Sequence, residues 1–164
     1  MAVHISRPLR DAIRAQAKAA APLECCGLLL GQRLAGADGG TTDIAITELR
    51  AAANVANQPE HRFEVDPAVL IAAHREARQG GPAIVGHYHS HPHGEAVPSA
   101  VDAAMAGAAG EIWLLLDARG DLLAWQVVAS GRIHGVFDPV ELVGSPHGRL
   151  APARPQRHEG TAIA

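Results

Sequence analysis

The stretch that decides the fold and the site is Gly86-His-Tyr-His-Ser-His-Pro92, followed after a short loop by Ser99-Ala-Val-Asp102. In an extended strand, side chains at i and i+2 share one face, and each residue advances the chain by about 3.3 Å. His89 and His91 therefore stand about 6.6 Å apart and point the same way. His87 lies about 13 Å from His91 on the same reckoning, too far to share an ion. The pattern predicts a strand that presents two imidazoles on one face near its end.

A carboxylate follows at a distance that allows the chain to fold back. Ten residues lie between His91 and Asp102, which is enough for a loop and one helical turn. Ser99 occupies the predicted helix start, so Asp102 projects from the first turn toward the preceding loop. Two neutral imidazoles and one carboxylate leave a fourth position for water, which is typical of catalytic zinc sites. Zinc in such a set lowers the pKa of its water toward about 7 and polarises a substrate carbonyl.

Each half of this pattern also has a simpler interpretation. Ser99-x-x-Asp102 is a capping box, which satisfies free N–H groups at a helix start. A single H-x-H pair fits the polar face of a strand equally well. The two halves together, joined by a loop of suitable length, favour a metal site. Capping by Ser99 and ligation by Asp102 are also compatible with each other.

Composition sets the wider limits on fold and function. The chain has 164 residues, enough for one domain, with 48% hydrophobic but only 3% aromatic residues. Its core must come from aliphatic side chains, which favours layers of helices and sheet over an aromatic-rich sandwich. A net charge of −3 provides no basic surplus for nucleic acid. Charged and polar residues interrupt the N-terminal helical stretch, so neither a signal peptide nor a membrane span is predicted.

The two cysteines, Cys25 and Cys26, are neighbours in sequence. Vicinal cysteines rarely form a disulfide without strain, so no disulfide framework is expected. This cysteine usage predicts a reduced, cytoplasmic protein. No histidine or acid is evidently paired with Cys26, so a cysteine nucleophile is disfavoured and a buried, packed thiol is expected.

The remaining pattern predicts an α/β fold, a mixed central β-sheet flanked by helices in the order β-α-β-β-α-β-α-β-β. Predicted strands are Val3–Ile5, Cys25–Gly31, Thr42–Leu49, Phe63–Val65, Ala83–Ser90, Glu111–Asp117 and Leu122–Ala129, with weaker ones at 133–136 and 140–143. Helices are predicted from the Ser6 cap to about Ala20, from Asp66-Pro67 to Gly80-Gly81, and over Ser99–Ala109. Turns are predicted at 36–40 and 118–121. Residues 1–144 are expected to form the domain and 145–164 a disordered tail.

These residues resemble the JAMM signature of the MPN/JAB1/Mov34 metallopeptidases, in particular its compact prokaryotic members. The likeness is carried by His89-Ser-His-Pro92 and by Ser99-x-x-Asp102. A second segment of the family is similar to Pro22-Leu-Glu-Cys-Cys-Gly27 and the apolar run that follows it to Gly31. A third, weaker similarity covers the Asn54 loop and Arg62–Pro67. Together they cover nearly everything except the tail.

The resemblance implies a cytidine-deaminase-like MPN/JAB1 fold with one zinc ion held by His89, His91 and Asp102. It implies Glu24 as the general base and Ser99 as a group that holds the oxyanion. The implied reaction is hydrolysis of a peptide or isopeptide bond, with zinc-activated water. Because long insertions are missing, the expected substrate is a small ubiquitin-like, sulfur-carrier-type protein with a Gly-rich C-terminus.

Spacing alone does not select the base, since Glu64, Glu95 and Glu111 are equally placed as carboxylates. Ser90 should face away from His89 and His91 and support their geometry. The functional alternative is a non-catalytic MPN-type binding module, although such relatives have broken ligand sets. A relative of the DNA-associated RadC branch usually has Asn where Ser90 stands. A zinc nucleoside deaminase lacks support because no P-C-x-x-C follows.

Overall fold

The structure, a computed structural model, describes residues 1–35 and 43–144. Its strands are β1 (Ala2–Ile5), β2 (Cys26–Leu34), β3 (Asp43–Ala52), β4 (Ala83–His91), β5 (Ile112–Asp117), β6 (Leu122–Gly131) and β7 (Gly135–Gly144). Its helices are α1 (Arg7–Ala20), α2 (Pro67–Arg78) and α3 (Ala100–Met105). Within the described residues, no helix is both long enough and apolar enough to span a bilayer.

The seven strands form one mixed sheet that closes on itself in the order β1-β3-β2-β4-β5-β6-β7. β1 pairs in parallel with both β3 and β7, and this closes the sheet. β4 runs antiparallel to β2 and parallel to β5, so it is hydrogen-bonded on both sides. This arrangement confirms the predicted α/β class with a mixed sheet and flanking helices.

The helices begin where capping residues and prolines predict. Ser6 precedes α1 with extended backbone, and proline occupies the first turn. The Asp66 side chain accepts a hydrogen bond from the Ala68 N–H and so caps α2. α1 buries Ile13 against the main core, whereas α2 buries Ala73 against Leu28 and Leu30 of β2.

β5 shows how the core is divided between the two faces of the sheet. Ile112, Leu114 and Leu116 pack in the cluster that α1 covers. Trp113 and Leu115 alternate with them and belong to the opposite cluster, with Trp125 and Phe137. This second cluster lies beneath the end of β4 that carries the imidazole pair. Both tryptophans are buried, as their apolar strand patterns predict.

Four elements differ from the sequence prediction. α3 ends at Met105 rather than Ala109, because two glycines follow and Gly110 adopts a positive φ of 94°. The two weak strands at 133–136 and 140–143 are replaced by one strand, β7. Proline has no N–H to donate, but Pro139 is tolerated in β7 because β1 pairs only with residues 141–144. The side of Pro139 that faces away from β6 therefore requires no N–H donor. Phe63–Val65 forms a single bridge, Asn54 to Val65, instead of a strand.

Two predicted turns and the predicted tail have different outcomes. The turn at 118–121 is present, with the Asp117 carboxylate accepting from the Arg119 and Asp121 N–H groups. The predicted turn at 36–40 and the predicted tail at 145–164 lie outside the described residues.

Candidate metal centre

His89 and His91 lie at the end of β4, on the face that the i, i+2 alternation predicts. Their Nε2 atoms are 2.9 Å apart. The His89 side chain is fully buried, and that of His91 is 11% exposed. The backbone of His89 is paired with Cys26 on one side and Leu115 on the other. Because β4 is held from both sides, the position of the pair is fixed by the sheet.

Asp102 reaches this pair from the first turn of α3, as the loop length predicts. Its Oδ1 lies 3.3 Å from His89 Nε2, and its Oδ2 lies 3.4 Å from His91 Nε2. The same carboxylate completes the capping box, since Oδ2 accepts from the Ser99 backbone N–H at 2.6 Å and from Ser99 Oγ at 2.7 Å. Capping and approach to the imidazoles therefore occur together, and the cap fixes the carboxylate.

Glu24 approaches from the other side, immediately before β2. It is 6% exposed, and one of its oxygens is within 4.8 Å of ring nitrogens of both His89 and His91. Its Oε2 is buried without a hydrogen-bond partner. The Glu24 N–H donates to the Pro59 carbonyl at 2.7 Å, which ties the residue to the loop over the site.

The other carboxylates that spacing left open lie elsewhere. Glu64 and Glu95 are exposed, and Glu111 pairs with His87 at 2.5 Å. Only Glu24 among these four is grouped with the imidazole pair in the described part of the chain. Sequence spacing could not make this choice, because Glu24 reaches the site through the antiparallel pairing of β2 with β4.

Hydrogen bonding sets the direction of the His91 lone pair. His91 Nδ1 is 2.8 Å from the Glu95 carbonyl, which only accepts, so Nδ1 is the protonated nitrogen. In the neutral ring, His91 Nε2 therefore presents a lone pair toward His89, Asp102 and Glu24. Three groups converge here in a buried place: the His91 lone pair, the Asp102 carboxylate and the Glu24 oxygen that has no hydrogen-bond partner. Together they fit a divalent cation, and nitrogen and oxygen donors suit zinc.

The pKa values of these groups reflect burial and mutual interaction. Burial raises the pKa of Glu24 to about 7, with His91 opposing and Asp102 reinforcing this rise. Burial alone would raise the pKa of Asp102, but the adjacent His89 and His91 side chains outweigh it and bring the pKa below its usual range. Burial lowers the pKa of His89. A carboxylate with a pKa near neutrality suits proton transfer.

Aromatic rings hold His89 in place, a feature that the sequence pattern did not identify. Phe63 stacks on the His89 ring with centroids 4.3 Å apart, and Trp113 meets it edge-on at 5.6 Å. In the sequence, Phe63 appears only as an aromatic in the short predicted strand Phe63–Val65 and in the weakest stretch of the family resemblance.

Ser90 faces away from the imidazole pair, as predicted. Its Oγ accepts a hydrogen bond from the Cys25 N–H at 2.9 Å, and its N–H donates to the Cys25 carbonyl. Ser90 therefore fastens the start of β2, next to Glu24, to β4. Both cysteines are buried, and burial raises the pKa of the Cys26 thiol to about 12, consistent with a packed residue and not a nucleophile.

A cleft of about 190 Å³ opens onto the centre. Its lining includes Glu24, His91 and Ser99 from the site, together with Glu60, His61 and His93 from the two loops at its mouth. The arrangement brings a proton acceptor and a group of metal-binding atoms to one side of a solvent-accessible space. A proton acceptor beside metal-binding atoms suits chemistry by an activated water.

Comparison with known proteins places this geometry in a family. The sequence profile of the prokaryotic homologs of the JAB domain matches residues 6–129, well over half of the chain. The chain belongs to this JAB family. The match includes every residue of the candidate centre, and it confirms the predicted compact prokaryotic JAMM/MPN membership.

Two relatives of this JAB-domain chain are named desampylases. The one from Haloferax volcanii is 33% identical over 119 residues, covering 70% of this chain and 80% of the relative. The one from Pyrococcus furiosus is 29% identical over 119 residues, covering 73% and 77%. These relatives confirm the predicted enzyme class, a hydrolase of the JAMM isopeptidase type.

Solved structures agree with the fold of this JAB domain. The solution structure of protein DSY2949 from Desulfitobacterium hafniense has a TM-score of 0.70 at 25% identity, covering 87% of this chain and 92% of the other. A solution structure of a protein from Salinibacter ruber has a TM-score of 0.60 at 27% identity, covering 92% and 95%.

Proposed function

We propose that the chain is a zinc-dependent metallopeptidase that cuts a peptide or isopeptide bond at the C-terminus of a ubiquitin-like, sulfur-carrier-type protein. The observation that carries the proposal is the convergence of Glu24 and Asp102 on the His89–His91 pair beside one cleft. In this proposal the enzyme works in the cytoplasm and takes no nucleic acid or membrane partner.

His89, His91 and Asp102 would hold the ion. When bound, zinc would lower the pKa of its water to about 7 and polarise the scissile carbonyl. The protein contributes the orientation of its ligands. The Glu95 carbonyl fixes the His91 ring, Phe63 and Trp113 fix the His89 ring, and the capping box fixes the Asp102 carboxylate.

Glu24 and Ser99 would act on the substrate. Glu24 takes a proton from the attacking water and delivers it to the leaving nitrogen, which its buried position and raised pKa favour. Ser99 lines the cleft and would donate to the oxyanion. Its hydroxyl is bonded to Asp102 in this structure, so in this role it exchanges that partner for the substrate.

The substrate class is supported by the names of the relatives and by the small volume of the cleft. Two relatives are named desampylases, and a cleft of about 190 Å³ suits a chain of small residues. β4 has no free edge beside the imidazole pair, since β2 and β5 occupy both sides. A Gly-rich tail would therefore lie along the loops at 53–66 and 92–99 rather than extend β4 itself.

The direct test is cleavage of a lysine conjugate of a Gly-Gly-ended ubiquitin-like protein by the purified chain and by Glu24→Gln. We expect Glu24→Gln to retain its zinc and to lose turnover by about 10²-fold or more, the usual contribution of a general base. Glu141→Gln is the matched control, because this exposed carboxylate lies on β7, outside the cleft lining and outside the two loops proposed to receive the tail, and should not affect the rate. Wild-type turnover by Glu24→Gln would show that the base is assigned wrongly.

A further inference from the structure

Two histidines outside the metal centre face each other across the mouth of the cleft. His61 lies in the loop before α2, and His93 lies in the turn after β4. Their ring centroids are 6.3 Å apart, with the planes tilted by 52°. Both residues are exposed and line the cleft with Glu60. The proposed hydrolysis uses neither ring.

We propose that His61 and His93 form a second, weaker site for a transition-metal ion at the mouth of the cleft, with Glu60 available as a carboxylate ligand. Imidazoles bind Zn²⁺ through nitrogen at about 2.0–2.1 Å, so two rings that share a tetrahedral ion have centres about 5 Å apart. The observed separation exceeds this by about 1 Å. Exposed side chains can close such a gap by rotation about their own torsions.

The charge around this pair favours a cation. Glu24 and Glu60 are both in the lining of the cleft, and among the described residues no lysine or arginine lines it. The cation next in sequence, Arg62, reaches the sulfur of Met105 at 3.9 Å instead. A cleft lined by acids and imidazoles concentrates divalent cations.

Backbone hydrogen bonds order the two loops that carry these rings. His61 follows a turn in which its N–H bonds to the Gln58 carbonyl, and the same loop is tied to Glu24 through Pro59. His93 lies within a turn closed by the Gly94 N–H on the His91 carbonyl. Ion capture therefore requires side-chain movement only, with both loops already in place.

An ion between His61 and His93 would join the two loops over the entrance and obstruct an extended substrate. Excess zinc should then inhibit hydrolysis, a consequence that rests on the proposed function. The binding itself does not depend on that function. The proposed site is separate from the centre formed by His89, His91 and Asp102 and has its own affinity for the ion.

The experiment is a calorimetric zinc titration of the full chain already loaded with one equivalent of zinc. We expect a second, weaker binding event that is lost in His61→Ala and in His93→Ala. His74→Ala, which removes an exposed histidine of α2, should retain it. Imidazole NMR signals should shift for His61 and His93 over the same concentration range.

Activity provides the second measurement. Excess zinc should inhibit the wild type and His74→Ala, and should no longer inhibit the two mouth variants. No further binding event in the zinc-loaded wild type, or a further event that persists in both His61→Ala and His93→Ala, would overturn the proposal. If the wild type failed to cleave the conjugate, the proposed function would be wrong, whereas the calorimetry would still decide the second site.

Discussion

At the scale of single residues, the side chain of Asn54 connects Glu24 to the loop above the cleft. Its Nδ2 donates to the carbonyls of Glu24 and Arg62, both at 3.0 Å. Its Oδ1 accepts from the N–H groups of Ala56 and Glu64. One amide thus satisfies backbone groups from both ends of the loop and from the residue proposed as the base.

Replacing this amide should misplace Glu24 without touching the proposed metal ligands. In Asn54→Ala, backbone groups that lose their partner should cost about 1–3 kcal/mol of unfolding free energy. We expect kcat to fall while zinc stoichiometry stays at the wild-type value. Denaturant unfolding, metal analysis and conjugate cleavage measure the three quantities. Asn57→Ala, in the same loop but exposed, is the control, and equal losses in both variants would refute the special role of Asn54.

Residue patterns predict the parts of the centre that lie close together in sequence. Strand alternation and loop length suffice to bring His89, His91 and Asp102 together. Glu24 is separated from them by 65 or more positions, and its approach depends on the register of β2 against β4. Only the family resemblance identified it from sequence. Asn54 and Phe63 act through contacts that no local periodicity encodes.

At the scale of elements, the parallel pairing of β4 with β5 depends on a close approach at Gly86. A Cβ atom built on Gly86 would overlap the carbonyl oxygen and backbone of Ile112. Because Gly86 is paired with Ile112 in the ladder, any side chain there would push the two strands apart. This contact lies on the same strand as the imidazole pair.

Gly86→Ala should therefore destabilise the domain by about 1–3 kcal/mol or more, the range expected when a packed core is overfilled. Gly144→Ala is the matched control, since nothing lies within 4 Å of its Cβ position, and its effect should be within about 0.5 kcal/mol. Chemical denaturation followed by tryptophan fluorescence gives both values, because Trp113 and Trp125 are buried. Equal stability of the two variants would contradict the close-approach account.

Helices and strands are predicted correctly where the hydrophobic pattern is long. They are predicted wrongly where pairing between distant strands sets their ends. α1, α2 and the apolar strands match their predictions closely because caps, prolines and turn residues mark their ends. The end of α3 depends on glycines that prevent further helical turns. β7 continues through Pro139 because of where β1 stops pairing, which is information that no local window contains.

At the scale of the whole molecule, β1 closes the sheet by pairing in parallel with β3 and β7. Val3 and Ile5 of this strand are fully buried in the main core. Its partner β7 ends at Gly144, where the structural description stops. The seven described strands that close the sheet all lie within residues 2–144, and we expect the domain to end there.

A chain truncated after Gly144 should fold, and its unfolding midpoint should lie within about 2 °C of that of the full chain. Small changes in the free energy of unfolding shift this midpoint by only a few degrees. Removing residues 1–5 should abolish cooperative unfolding, since it deletes a buried strand from the middle of the sheet. Thermal circular dichroism of both truncations tests these outcomes. A large loss of stability in the 1–144 chain would place the domain boundary elsewhere.

The central claim is that His89, His91 and Asp102 hold one zinc ion while Glu24 remains free to accept a proton. The most direct measurement is anomalous diffraction at the zinc absorption edge from crystals loaded with one equivalent of zinc. We predict one strong peak, with bonds of about 2.0–2.2 Å to both imidazoles and to the Asp102 carboxylate, and Glu24 outside bonding distance. A peak bound by Glu24 in place of Asp102, or no peak between the two imidazoles, would contradict the account.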